Sequence, residues 1–395
     1  MKEPFLSLAG KMKFFSKAKE PYKNLRKHFN AQAVGYPATL TGIELRLLRE
    51  IFTVMEAEAA LVLTYRFETF ESLYPRAQEK GLSADAFRKL LESMEKKGGI
   101  FVKHQDGEIY YALHPFAIGM FEMQISRLSP SFFMDSHNYM LQGFAMEYLT
   151  TEVPQMRVIP VNKSLKPMQN VATYDQIREI VESTKDKIGV NRCICKTGRD
   201  LINDPCKVTD RREVCIGFRD FYDTYSRQGW GRAVSKEEAL EILDQNEKDG
   251  LLLIGSTMQE PQFVCSCCAC CCGIMEMLKF MPRPADFSAS NFYAKLEPAT
   301  CNGCGKCISR CQMEAISFKS VEKKKMATAI DPKRCIGCGL CVASCKTGAI
   351  SLRKKEIEFI PPKDHVELYE TIMQKKKGLA GKIGMMTKAM MGMKV

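Results

Sequence analysis

Histidine and tryptophan are scarce in this chain, five and one among 395 residues, and no cysteine occurs before Cys193 or after Cys345. The histidines (His28, His104, His114, His137, His365) are scattered and none stands in a Cys-x-His arrangement, which leaves a Rieske centre without support. No run reaches the roughly 18 apolar residues of a membrane helix, and Met1 to Phe15 lacks the apolar segment and cleavage site of a secretory leader. The expected location is therefore the cytoplasm. There is no Gly-x-Gly-x-x-Gly after a strand and no phosphate loop, so nucleotide cofactors have no support either. Acidic residues are missing from positions 371–395, which hold six lysines, while residues 1–30 carry eight Lys or Arg against Glu3 and Glu20. The two ends account for the whole formal charge of +12, and the body between them is neutral. That makes nucleic acid an unfavoured partner and leaves basic ends suited to an acidic protein or a membrane surface.

What is present is an ordinary globular composition, 45% hydrophobic and 26% charged, long enough for two or three domains. The expected architecture is α+β and multidomain: a basic arm (1–35), a mainly helical part (36–150), a cysteine-rich α+β middle (151–292), a duplicated segment (293–355) and a basic, methionine-rich tail (356–395). In the helical part, Glu44 to Phe52 and Glu56 to Tyr65 have helical apolar spacing. Ser83 predicts the N-cap of a helix over 84–96 with Leu90, Leu91 and Met94 on its apolar side, stopped by Gly98-Gly99. Two strand-like runs around Asp106-Gly107 follow as a hairpin, and helices followed by such a hairpin suggest a winged helix. Its last helix offers Arg88, Lys89, Lys96 and Lys97 beside Asp85, Glu92 and Glu95. This near-cancellation favours docking or dimerisation over DNA binding.

The sharpest signal is an internal repeat. Cys301, Cys304, Cys307 and Cys311 are spaced Cys-x-x-Cys-x-x-Cys-x-x-x-Cys, and Cys335, Cys338, Cys341 and Cys345 repeat that spacing 34 positions later. Gly303 and Gly305 recur as Gly337 and Gly339, and Ala315-Ile316-Ser317 as Ala349-Ile350-Ser351. Three close thiolates on a tight glycine-bearing loop reach three irons of a cube, and two complete runs weigh against a zinc ribbon. The double run resembles the two-cluster bacterial ferredoxins. That resemblance implies two 4Fe-4S clusters, with Cys301, Cys304, Cys307 and Cys345 on one and Cys335, Cys338, Cys341 and Cys311 on the other. The pattern departs from the family where a Pro normally follows the fourth Cys: Gln312 and Lys346 stand there.

Ten more cysteines fall in the middle region: Cys193, Cys195, Cys206 and Cys215, then Cys265, Cys267, Cys268, Cys270, Cys271 and Cys272. Six in eight positions is not the habit of cysteines packed as small hydrophobes, and adjacent ones cannot all face one metal. A subset is therefore expected to ligate at least one additional iron–sulfur cluster; a thiol or disulfide pair beside a cluster, and zinc, remain alternatives. The helix expected to open at Gly273 points its positive end at this site. Arg192, Lys196, Arg199, Lys207, Arg211, Arg212 and Arg232 lie around it, as charge compensation and solvated surface rather than an anion site.

Together the wing-like part, the cysteine-rich middle and the repeat resemble a group of 4Fe-4S dicluster proteins of anaerobic bacteria and archaea. The resemblance implies electron transfer with a partner oxidoreductase, and it names no catalytic residue. An iron–sulfur redox sensor acting through the winged helix, and a reductase with a middle-domain active site, are the alternatives. A homodimer is left open, as is peripheral contact of the tail with the inner membrane face through Leu379, Ile383, Met386, Met390 and Met393. Lys346 places a positive charge beside one cluster and favours its reduced form. Protein-film voltammetry of Lys346→Pro is expected to show one potential lowered; unchanged potentials would remove that role.

Overall fold

The computed structural model describes residues 21–165, 171–185, 187–321 and 324–395; most of the expected basic arm, residues 1–20, lies outside them. The chain divides into two compact units, with the boundary between Glu147 and Tyr148.

The first unit runs α1 (Pro21–Ala31), α2 (Ile43–Ile51), α3 (Val54–Ala60), β1 (Glu68–Thr69), α4 (Phe70–Glu79), α5 (Ala84–Lys96), β2 (Phe101–Gln105), β3 (Glu108–Ala112) and α6 (Pro130–Tyr139). The Ser83 side chain accepts from the Ala86 N–H at 3.3 Å, capping α5. This helix buries Phe87, Leu91 and Met94, a spacing of four and three, so Phe87 rather than Leu90 completes its inner face. The hairpin turn places Asp106 and Gly107 at φ 53° and 83°, as a two-residue turn with both central residues left-handed requires. The sheet order is β1-β3-β2. The helix expected through Tyr65 ends at Ala60, because the chain turns there to bury Leu63, whose carbonyl bonds the His28 ring at 2.7 Å.

Glu56 ties this unit together. Its carboxylate accepts from the Thr53 N–H and the Ser93 hydroxyl, each at 2.7 Å, and pairs with the Lys97 ammonium. One buried side chain thus joins the start of α3 to the end of α5.

The second unit is organised on a six-stranded antiparallel sheet of order β4-β8-β9-β6-β5-β7. The strands are β4 (Met156–Ile159), β5 (Ile188–Arg192), β6 (Glu213–Phe218), β7 (Gly231–Ala233), β8 (Leu252–Ser256) and β9 (Phe263–Cys267). Between them lie α7 (Ile177–Ser183), α8 (Ile194–Leu201), α9 (Arg219–Arg227) and α10 (Lys236–Asp249), and α11 (Gly273–Phe280) follows β9. Ser235 accepts from the Glu238 N–H at 3.1 Å to start α10, and Gly250, at φ 92°, ends it. The duplicated segment contributes β10 (Phe292–Leu296), α12 (Lys306–Arg310), β11 (Ile316–Val321), β12 (Lys324–Ile330), α13 (Leu340–Ser344) and β13 (Ile350–Lys354). β10 pairs antiparallel with β13 and β11 with β12. A buried ion pair, Arg157 to Asp175 at 2.7 Å, is extended by Asn291, which donates to Asp175 at 2.9 Å and anchors Phe359.

The tail forms α14 (His365–Gln374) and α15 (Leu379–Met390). α15 buries Lys382 and Ala389 and leaves Leu379, Ile383 and Met390 exposed. No helix among the described residues is long and apolar enough to cross a membrane.

Burial disfavours ionisation of Glu56, but Lys97, Ser93 and Thr53 outweigh it and hold the carboxyl below its ordinary value. Because the folded-state value is depressed, the stabilisation is complete above the unfolded carboxylate range and is lost as pH falls through the folded value. Glu56→Gln is expected to cost about 1–3 kcal/mol near neutral pH. Urea titrations of both forms at pH 7 and in mild acid should show that difference shrinking in acid.

Candidate metal centre

The duplicated sequence is duplicated conformation. α12 and α13 each start at a left-handed glycine, Gly305 at φ 72° and Gly339 at φ 79°, and each ends at a cysteine, Cys311 at φ −80° and Cys345 at φ −82°. Gly303 and Gly337 both sit at φ 71°. Positive φ is one reason for glycine here, and close approach is another. A Cβ on Gly337 would fall 2.1 Å from the Phe292 carbonyl oxygen, and one on Gly339 would fall 2.2 Å from Ser164 Oγ. The loop of the second repeat is therefore pressed against β10 and the 162–165 turn.

One cavity is lined by Cys335, Cys338 and Cys341 together with Cys311 of the first repeat, closed by Leu252, Ile316, Ile336 and Leu340. Burial pushes the Cys338 thiol up to about 12. Four sulfur donors in an apolar enclosure fit a cationic iron core, which takes up thiolates that burial alone would keep protonated. The first repeat is more open: Cys301 and Cys307 are buried, Cys311 is half-buried and Cys304 is exposed. None of the eighteen cysteines is in a disulfide.

The middle cysteines fall into two groups. Cys206, Cys268, Cys270 and Cys271 have sulfurs that all lie within 4.8 Å of one another. Neighbouring pairs stand at 3.6 Å (Cys206–Cys268), 4.0 Å (Cys206–Cys270), 3.4 Å (Cys268–Cys270) and 3.7 Å (Cys270–Cys271). Hydrogen bonds from Cys268, Cys270 and Cys271 hold the Cys206 thiol below its ordinary value. The other six are electrostatically coupled into a second group: Cys193 with Cys195 and Cys215, Cys195 with Cys272, Cys272 with Cys267, and Cys265 with Cys267 and Cys215, a ring in order of coupling. Within it, contacts with Cys195 and Cys215 hold Cys193 low, and contacts with Cys195 and Cys267 hold Cys272 low. These two are the N-cap residues of α8 and α11.

Local structure explains the split. Strand alternation puts Cys265 and Cys267 on one face of β9, and the β6–β9 register, Ile216 opposite Val264, sets Cys215 across from Cys265. After Cys267 the chain turns, with the Cys271 and Cys272 N–H groups both donating to the Cys268 carbonyl. That turn sends Cys268, Cys270 and Cys271 to the quartet and returns Cys272 to the ring. Asn246, fully buried on α10, donates to the Val214 carbonyl at 2.9 Å and to Ser266 Oγ at 2.7 Å, holding the two cysteine-bearing strands. Of the basic residues expected around the site, Arg199, Arg211, Arg212 and Arg232 are in ion pairs with Glu276, Asp249, Asp200 and Glu238. Lys196 differs from these. It is 1% exposed and donates to the Ser266 carbonyl at 2.9 Å.

Residues 300–349 match the protein family described as 4Fe-4S dicluster domain. This region is a ferredoxin-like iron–sulfur domain. No curated protein and no solved structure matches the chain. The protein thus carries two 4Fe-4S clusters in its ferredoxin domain, a further group of cysteines able to hold metal at Cys206, Cys268, Cys270 and Cys271, and the equipment of iron–sulfur electron transfer.

Gln312, recognisable in the sequence only as a missing proline, links the two regions. Its side-chain oxygen accepts from the Ala269 N–H at 3.2 Å, inside the cysteine turn, and its nitrogen donates to the Gly250 carbonyl at 3.2 Å. Arg310 donates to the Lys248 carbonyl, Lys279 pairs with Glu314 at 2.6 Å, and Arg334 donates to the carbonyls of Met313, Met281 and Lys279. Gln312 and Asn246 carry no sequence signal of their own, since an uncharged amide forms no motif.

Gly337→Ala is expected to lose one cluster's share of iron and sulfide. Gly348→Ala, at φ 69° but facing open space, should keep both clusters. Iron and acid-labile sulfide assays on the two purified variants check this.

Proposed function

We propose that the protein relays low-potential electrons between a partner oxidoreductase and the thiol sites of its middle region by way of the ferredoxin domain. In this reading Cys301, Cys304, Cys307 and Cys345 hold the outer cluster, and Cys335, Cys338, Cys341 and Cys311 the inner one. The observation that carries it is the Gln312 contact, which lays the residue after Cys311 directly against the turn between Cys268 and Cys270. An exposed Cys304 at one end and an enclosed Cys311–Cys341 cavity at the other give the domain a solvent side and a protein side. A partner that exchanges electrons docks at the exposed loop, where Asn302 and Lys306 also face solvent. When bound, the clusters supply one-electron chemistry; the chain supplies ligands, enclosure and the amide bridge.

The first unit then serves as a docking module of winged-helix type. Two of the four basic side chains that a DNA-reading α5 would need are engaged within the unit: Arg88 lies 3.7 Å over the Phe70 ring, and Lys97 is paired with Glu56. The tail, with Leu379, Ile383 and Met390 outward and lysines around them, is a second contact surface for a protein or an anionic membrane.

Coulometric reduction of the anaerobically purified chain tests the relay. More than two electrons are expected per chain, with the excess lost in Cys193→Ser/Cys195→Ser. Uptake of only two, unchanged in that variant, would reduce the protein to a two-cluster carrier with an inert middle region.

A further inference from the structure

Ten thiols in one region raise the question of how many metal sites they make, and of what kind. We propose that they make two sites of different nuclearity: Cys206, Cys268, Cys270 and Cys271 hold a single tetrahedral divalent ion, while Cys193, Cys195, Cys215, Cys265, Cys267 and Cys272 hold a polynuclear iron–sulfur cluster. The inference deepens the relay reading, on which it rests for iron in the middle region.

Sulfur spacing separates the two kinds of site. A zinc or ferrous ion with metal–sulfur bonds of about 2.3 Å holds four thiolates on a tetrahedron with an edge of about 3.8 Å. Four of the six quartet distances, 3.4 to 4.0 Å, bracket that edge, and all six lie within 4.8 Å. In a cubane each thiolate binds a different iron, so the cysteine sulfurs stand about 6 Å apart. The ferredoxin domain in the same chain is the internal comparison: among the described residues, no three of its cysteine sulfurs gather within the 4.8 Å span that encloses the quartet. Cys268 and Cys271 are also packed with Val214 and Leu251 in one buried cluster. Thiols already in mutual contact there leave room for one ion and none for inorganic sulfide.

The ring has the opposite character. Six donors exceed the four that a tetrahedral ion takes, and among the described residues no three of their sulfurs gather within the 4.8 Å span of the quartet. Two strands and two helix starts contribute to it. Cys193 and Cys272 stand at the N-termini of α8 and α11, eight residues each, whose positive ends suit an anionic cluster. Between the two sites lies Lys196. The charges facing its ammonium are Cys193, Cys267 and Cys215 of the ring and Cys268 of the quartet, and no carboxylate pairs with it among the described residues.

Element analysis of the anaerobically purified full chain, with acid-labile sulfide and X-ray absorption at the zinc and iron edges, tests the partition. The expected result is one zinc per chain with four sulfur neighbours and no metal neighbour. In zinc-starved cells, one iron without matching sulfide is expected in its place. Cys206→Ser/Cys270→Ser should remove that ion and no sulfide; Cys193→Ser/Cys272→Ser should remove iron and sulfide together and leave the ion. EPR signals of the reduced ferredoxin domain, retained in both, report that the chain is folded. Loss of iron and sulfide in cubane proportion from the quartet variant would overturn the partition, as would no sulfide loss from the ring variant. If either variant fails to fold, the unmodified chain still decides: no zinc and no sulfide-free iron, or zinc with a metal neighbour, overturns it. A cubane in the quartet would leave the relay standing, whereas uptake of only two electrons would defeat the relay and leave a single-ion quartet untouched.

Discussion

The second unit depends on accommodating ten thiols in one region of its fold. Neighbouring thiols at 3.4–4.0 Å cannot all ionise without cations between them, and the fold supplies positive charge from three directions. Two helices begin at Cys193 and Cys272, and the Lys196 ammonium is buried beside them. The flanking arginines belong to a different layer. Arg199, Arg211, Arg212 and Arg232 are partnered by carboxylates and brace the loops instead of facing the sulfurs.

β6 and β9 carry three ring cysteines, and their separation is set by backbone pairing and by Asn246, whose amide reaches both strands from α10. The buried cluster at this end packs Cys193, Cys268 and Cys271 with Val214 and Leu251. The ferredoxin domain is fixed to the same framework through Gln312, Arg310 and Arg334, mostly by hydrogen bonds to backbone carbonyls, which a carbonyl at any residue can accept. The first unit stands on its own core, an aromatic group around Tyr36, Phe116 and Tyr139 with ring centroids 4.8–5.9 Å apart, and on the Glu56 junction.

Much of this architecture is legible in the amino-acid sequence. The 34-residue offset specifies two identical loops, and the loops have matching φ values because the same glycines stand at the same places. Ser83, Ser235, Asp106-Gly107 and Gly273 mark element ends through local backbone chemistry, which acts within a few residues and so is written in them. The inner face of α5 is only partly legible: apolar spacing identifies Leu91 and Met94, while Phe87 completes the face where Leu90 is expected.

The ferredoxin repeat, its cluster type and a thiol-rich middle can therefore be read from the chain alone, because metal-ligand spacing and turn chemistry are local. Which of the ten middle cysteines stand together is a matter of tertiary structure, since that grouping depends on the β6–β9 register and on the turn at Cys268. Tertiary structure also gives Gln312 and Lys196 their partners, Ala269 and Ser266, across 43 and 70 positions of the chain. No spacing rule encodes contacts of that range, because they exist only after the sheet has brought the two stretches together.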